Sequence, residues 1–239
     1  REIPLAALAQ RFETVVLQDQ DADALATAVA RIDGAPAAAA VTIEVCDLTG
    51  ATDALIAGAH VCLARAATPA QAIVGLCALA DAAQFAAPSP QPVWDLVIAS
   101  CVGTQLHLRA LDEITRRFVQ RFAGQGGLLS GSAAWTDAML RLSWRLQDAF
   151  HNHLLRLVDP DGRVYLSDTV QVGQLFASPD GWRTPGWYRM TRERLLAAVL
   201  PASAQPLHGG QWPYVVAAPT ADAAGLLYNV HAVVMTRRR

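Results

Sequence analysis

The sequence predicts an α/β fold, a doubly wound sheet closed by an antiparallel strand pair, and three observations lead there. Short β-branched and apolar runs at Thr14–Leu17, Val41–Val45 and Val93–Ala99 alternate with segments of helical spacing, the β–α–β pattern of a parallel sheet. Acidic or small polar residues follow those runs, at Asp19, Asp47 and Ser100, where open parallel sheets gather ligand-binding groups. Two closing runs, Tyr214–Ala218 and Leu226–Thr236, are joined by a connection too short for a parallel crossover, so they pair antiparallel.

Taken in order, Ile3, Leu5, Leu8 and Phe12 give a helical stripe in which Pro4 is tolerated only in the first turn. The strand Thr14–Leu17 ends in the acidic turn Gln18-Asp19-Gln20-Asp21, and Ala24, Leu25, Ala28, Val29 and Ile32 resume a helix that Asp33-Gly34 closes. The strand Val41–Val45 leaves through Cys46-Asp47-Leu48-Thr49-Gly50. An alanine-rich helical region from Thr52 to Phe85 then runs until the prolines before Val93 break it.

After the strand Val93–Ala99, Leu108–Phe122 reads as a helix, Gly124–Ser132 as a mobile glycine- and serine-rich loop, and Trp135–Val158 as another helix. Asp159-Pro160-Asp161-Gly162 has the composition of a tight turn, since proline presets φ and glycine permits the return. The strand Arg163–Thr169, a loop with Trp182, Pro185 and Trp187, and a helix at Thr191–Val199 complete the alternation before the closing pair.

A chain of 239 residues with 53% apolar content can bury one sizeable core, so a single domain spanning 1–239 is expected, with helical elaboration around 52–86 and 108–158. Its net charge of -2 provides no general pull toward phosphate backbones or an anionic membrane, although Arg237, Arg238 and Arg239 make a small basic tail. No lysine occurs, which removes Schiff-base lysine chemistry and the P-loop lysine. The missing lysine and abundant alanine match the coding bias of a GC-rich bacterial genome.

Cys46, Cys62, Cys77 and Cys101 are scattered among apolar neighbours without CxxC spacing, which predicts buried free thiols in a reducing cytoplasm. No apolar run reaches membrane-spanning length and no signal peptide opens the chain. The opening Arg1-Glu2-Ile3-Pro4, without methionine, is expected to follow an upstream segment.

The segments VVLQDQDADALATA, VTIEVCDLTG and DLVIASCVGTQL, with the closing strand pair, resemble successive motifs of class I S-adenosylmethionine-dependent methyltransferases over nearly the whole chain. That resemblance implies a Rossmann-like seven-stranded sheet whose first strand and glycine-rich loop are expected upstream of Arg1, since no such glycine motif occurs in the sequence. It also implies S-adenosyl-L-methionine as cofactor; charge and size favour a small molecule as methyl acceptor, with a protein side chain second and nucleic acid disfavoured, and no membrane partner is expected.

By the same resemblance Asp19, with Gln20 beside it, would bind the ribose hydroxyls, for which a carboxylate is a strong bidentate acceptor. Asp19 or Asp21 also reads as a helix cap, and the capping role falls to Asp21. Asp47 would accept from the adenine amino group beside the backbone N–H of Leu48, and reads equally as a cap. Ser100, Cys101, Val102 and Gln105 would face the transferred methyl group, whereas Asp95, at the far end of that strand, reads as structural. Cys101, in apolar company without a positive neighbour, reads as packing rather than a nucleophile.

Methyl transfer from a sulfonium is an in-line displacement that needs a base only when the acceptor carries a proton. His107 is the first candidate base because imidazole titrates near neutrality, and Asp168 is the second; a histidine at a helix start also reads as a surface or capping residue. His151 and His153, two apart on a helix, point to different faces and make no metal pair. Trp135, Trp144, Trp182, Trp187 and Tyr188 suit either an acceptor-pocket wall or ordinary packing.

Two other readings share these features. An NAD(P)-dependent oxidoreductase also holds a ribose with an acidic residue at a strand end, but its sheet continues in parallel where this chain ends in an antiparallel pair. A catalytically inactive scaffold or regulatory domain could keep Asp19 and Asp47 as caps alone.

Overall fold

The computed structural model describes residues 5–32, 40–86, 93–100, 102, 105–178, 181–183, 187–189, 200–220 and 223–238. The chain is a mixed α/β protein. It opens with α1 (Leu5–Ala9), β1 (Thr14–Asp19), α2 (Ala22–Ala30) and β2 (Ala40–Val45). β1 and β2 pair in parallel with Thr14 opposite Ala40 and Asp19 opposite Val45, so both carboxyl ends lie on one edge. The expected capping by Asp21 is present: its Oδ1 accepts from the backbone N–H groups of Asp23 at 2.9 Å and Ala24 at 3.0 Å.

The helical region between Thr52 and Phe85 is two helices, α3 (Thr52–Arg65) and α4 (Pro69–Ala82). Pro69 stands in the first turn of α4, where its missing N–H is harmless, and the Thr68 hydroxyl accepts from the Gln71 N–H at 3.3 Å. Composition alone showed no break here, because both helices are alanine-rich. Buried Leu55, Ala59 and Leu63 on α3 and Ala72, Leu76 and Ala80 on α4 keep one apolar stripe each.

β3 (Trp94–Ser100) is followed by α5 (Leu108–Arg121), a short α6 (Gly126–Ser130) and α7 (Ala133–Arg156). α6 lies inside the stretch expected to be a loop, and Leu129 at 1% exposure explains it, since one buried leucine pins the turn to the core. Along α7 the buried positions Trp135, Met139, Leu142, Leu146, Phe150 and Leu154 recur every three or four residues, making this helix the spine of the core.

β4 (Val158–Ser178), β5 (Gly181–Arg183), β6 (Trp187–Arg189), β7 (Ala204–Ala217) and β8 (Gly225–Arg237) complete the chain. β3 pairs in parallel with β4, and β4–β8 and β8–β7 pair antiparallel, giving the order β3-β4-β8-β7. The expected closing antiparallel pair is therefore present, with β7 starting ten residues earlier than the run at Tyr214 suggested. The expected helix at Thr191–Val199 lies outside the described residues.

Asp159–Gly162 does not separate α7 from a new strand as a free turn. Trp94 pairs with Val158 while Leu96 pairs with Arg163, so the four residues form an excursion inside β4. A Cβ on Gly162 would lie 2.9 Å from the Val158 Cβ and 3.0 Å from the Trp94 carbonyl oxygen, which accounts for glycine there.

Among the described residues β1 pairs only with β2 and β3 only with β4. Their remaining edges line one cavity of about 360 Å³, to which all of β1 and Trp94–Ala99 of β3 contribute, with α1, α2 and α7 supplying Leu5, Leu25 and Leu154. No helix among the described residues is long and apolar enough to cross a membrane.

Candidate functional site

The carboxyl ends of β1 and β2 bring Asp19, Gln20, Asp47 and Leu48 to one edge, since the pairing of Asp19 with Val45 leaves Asp47 two residues beyond. Asp19 lines the cavity between β1 and β3, and its Oδ1 accepts from the Asp21 N–H at 3.0 Å. That bond shapes the turn out of β1. Leu48 lines the same cavity, while Gln20 sits half-buried in the turn.

Asp47 is bound into its own loop. Oδ1 accepts from the Thr49 N–H at 2.9 Å and the Thr49 hydroxyl at 2.8 Å, and Oδ2 accepts from the Thr52 N–H at 2.8 Å. Burial opposes ionisation of this carboxyl, but the hydrogen bonds from Thr49 and Thr52 outweigh it and hold the group below its ordinary value. Of the two readings of Asp47, the structure displays the one in which it ties a turn to a helix.

Gly50 completes the loop at φ 60°, and a side chain there would collide with the Ala86 carbonyl, whose own N–H donates to the Thr49 carbonyl at 2.9 Å. Burial, followed by the nearby charges of Glu44, Asp47 and Asp19, raises the Cys46 thiol, so it stays protonated. Cys46, Cys62 and Cys77 are free and only partly buried, a correction to the expected burial: Cys62 and Cys77 pack at the margin of the core, and Cys46 lies just past the end of β2.

At the end of β3, Ala99 and Val102 line the cavity, and the Ser100 hydroxyl accepts from the Ser167 hydroxyl at 3.1 Å across the parallel pair. Gln105 is exposed, with its N–H on the Val102 carbonyl at 2.9 Å. Cys101 lies outside the described residues. Asp95 also lines the cavity, near the amino end of β3.

His107 precedes α5 without capping it, and its Nδ1 is buried with no hydrogen-bond partner. Burial lowers its pKa, against a smaller opposing effect of Asp112, so the ring is neutral at pH 7. It is not among the cavity-lining residues. A neutral imidazole matches what a base requires, but its buried Nδ1 faces protein rather than open space.

Asp168, on β4, is 6% exposed, accepts from the Thr169 N–H at 2.9 Å, and stands opposite His231 of β8. Trp135 is a core side chain at 4% exposure, so this ring packs rather than walls a pocket. Trp144 lies on α7, and Trp182, Trp187 and Tyr188 belong to β5 and β6, which pair along β4 beyond the end of β3. His151 and His153 are both buried, His153 in the cavity wall with its ring 5.8 Å from that of Phe85.

Sequence reasoning missed His231, Asn229 and Gln171. Asn229 and His231 alternate within an otherwise apolar strand, a signal that polar groups occupy one face, but only pairing shows what stands opposite them. No protein-family model and no curated protein sequence matches this chain.

Proposed function

We propose that this protein is a class I S-adenosylmethionine-dependent methyltransferase acting on a small-molecule acceptor by in-line methyl transfer. The observation that carries the reading is the cavity between β1 and β3, walled by two strand edges and roofed by Asp19 and Leu48. Facing strand edges present unpaired N–H and C=O groups, which are costly to bury and are satisfied by a further strand. α1 lines the cavity and leads into β1, so a strand feeding α1 would complete a right-handed β–α–β unit. With that strand, the order β2-β1-new-β3-β4-β8-β7 is a seven-stranded Rossmann-like sheet closed by an antiparallel pair.

In this reading the glycine turn after the added strand and the Asp19 carboxylate hold S-adenosyl-L-methionine, with Gln20, Leu48, Ser100, Cys101 and Gln105 around it. The acceptor's lone pair attacks the methyl carbon and the carbon–sulfur pair stays on the departing neutral thioether. The antiparallel closing pair weighs against a nicotinamide-dependent oxidoreductase. The full hydrogen-bonding of Asp47 within its loop favours a second reading, a catalytically inactive domain in which the acids are only structural.

Calorimetry of the full natural chain with S-adenosylhomocysteine separates the two. Micromolar binding that Asp19→Ala weakens supports the enzyme, and no binding overturns it.

A further inference from the structure

We propose that the outer face of the α3–α4 hairpin is a dimer interface on which a second copy of this chain docks in antiparallel register. The surface stands independently of the reaction assigned above.

Close packing of the two helices builds it. A Cβ on Gly58 would lie 2.6 Å from the Leu79 Cδ1, and one on Gly75 would lie 3.6 Å from the Cys62 Sγ. α3 and α4 therefore run antiparallel with Ala59 level with Ala78, and the two glycines let them meet along a flat seam. Each helix already buries one stripe on its inner side, so its outward side would ordinarily be polar. Along the seam it is apolar instead. Val74 is 70% and Val61 45% exposed, and Ala57, Ala78 and Ala82 beside them are exposed as well. A contiguous apolar surface of this kind marks an interaction site.

Charges at its two ends select the occupant. Asp53 in the first turn of α3 and Arg65 in its last are both exposed, and among the described residues neither makes an ion pair. They complement the dipole of α3, which accounts for their signs but not for the apolar surface between them. The helical rise separates them by about 18 Å.

A two-fold axis crossing the hairpin at the level of Ala59 and Ala78 lays α3 antiparallel to the same helix of the second copy. It brings Arg65 of each copy level with the partner's Asp53. The same operation sets Val61 over the partner's Ala57 and Val74 over the partner's Ala82, a large side chain against a small one in both places. An axis running along the helices would instead gather both arginines at one end and both aspartates at the other. Two helices of 14 residues, each about 21 Å long and about 10 Å wide, offer about 400 Å² per copy. That is less than a standard stable interface and fits a reversible dimer with a dissociation constant in the micromolar range.

Sedimentation velocity of the full natural chain, between about 1 and 300 µM and in about 50 and 500 mM salt, is the test. Mass should rise from monomer to dimer with concentration, and added salt should weaken the dimer. Val74→Asp, at a position open to solvent in the single copy, should weaken it at least about tenfold by placing charge in the apolar contact, with thermal melts showing that the variant folds. Arg65→Asp should weaken it at least about fivefold, and combining it with Asp53→Arg should restore most of the affinity. A chain that stays monomeric throughout leaves the face to a different protein and overturns the proposal, as does a dimer indifferent to Val74→Asp. A dimer that the charge exchange fails to restore overturns the antiparallel register.

Discussion

The Asp47 carboxylate accepts the Thr52 N–H at 2.8 Å, so a side chain two residues past β2 ties down the first turn of α3. The same carboxylate holds Thr49, whose hydroxyl in turn accepts from the Ala51 N–H at 3.0 Å. The loop beside the candidate cofactor site is thus held by hydrogen bonds of its own.

Asp47→Ala should destabilise the protein by about 1–2 kcal/mol, as loss of a carboxylate at a helix start does, with Asp47→Asn milder. Because the folded carboxyl titrates below its unfolded value, its contribution is complete above about pH 5 and is lost as pH falls through the lowered folded value. Urea denaturation of wild type and Asp47→Ala between pH 3 and 7 checks this, and the two should converge at the acid end.

Gly50→Ala should cost at least about 1–2 kcal/mol from its left-handed backbone alone, and more from the collision with the Ala86 carbonyl. If methyl transfer is the function, cofactor affinity should fall with it, because this loop carries Asp47 and Leu48. Chemical denaturation and calorimetry on the same preparation separate the two effects.

Asp19→Ala should weaken S-adenosylhomocysteine at least tenfold, since charged acceptors contribute about 1.5–3 kcal/mol per hydrogen bond. Asp19→Asn should lose less, because it retains an acceptor oxygen for the Asp21 N–H. Equal affinity in Asp19→Ala and wild type would remove this residue from the site.

His107→Leu should be neutral or stabilising by up to about 1 kcal/mol, because it deletes a buried nitrogen that has no partner. The folded ring titrates below the unfolded one, so wild type loses stability as pH falls from about 6.5 toward the folded value, where the unfolded chain takes up a proton first. Thermal melts between pH 5 and 8 should show a shallower slope in the variant. A large loss of methyl transfer with unchanged stability would instead mark His107 as the base.

Much of the chain is legible locally. β1, β2, α2, α5 and α7 follow from runs of apolar residues at the spacing of strand or helix, and Asp21 declares its capping role by position. The division of the alanine-rich region, the buried turn at α6 and the four-residue excursion at Asp159 are not legible, because each depends on which apolar surface the segment meets. The candidate site divides likewise: Asp19 and Asp47 were named from strand ends, and the cap was one of two readings of Asp47, while the choice between them was not visible in the sequence.

What the sequence by itself determined is the alternation of strands and helices, the antiparallel closing pair and the acids at strand ends, since periodicity and turn chemistry act over a few neighbouring residues. Only the tertiary structure decided that Asp47 is bound into its own loop, that β1 and β3 face each other across a cavity, and that Asp168, His231 and Gln211 form one row. Register joins residues tens of positions apart through backbone hydrogen bonds, and a shift of one residue would turn every side chain to the opposite face.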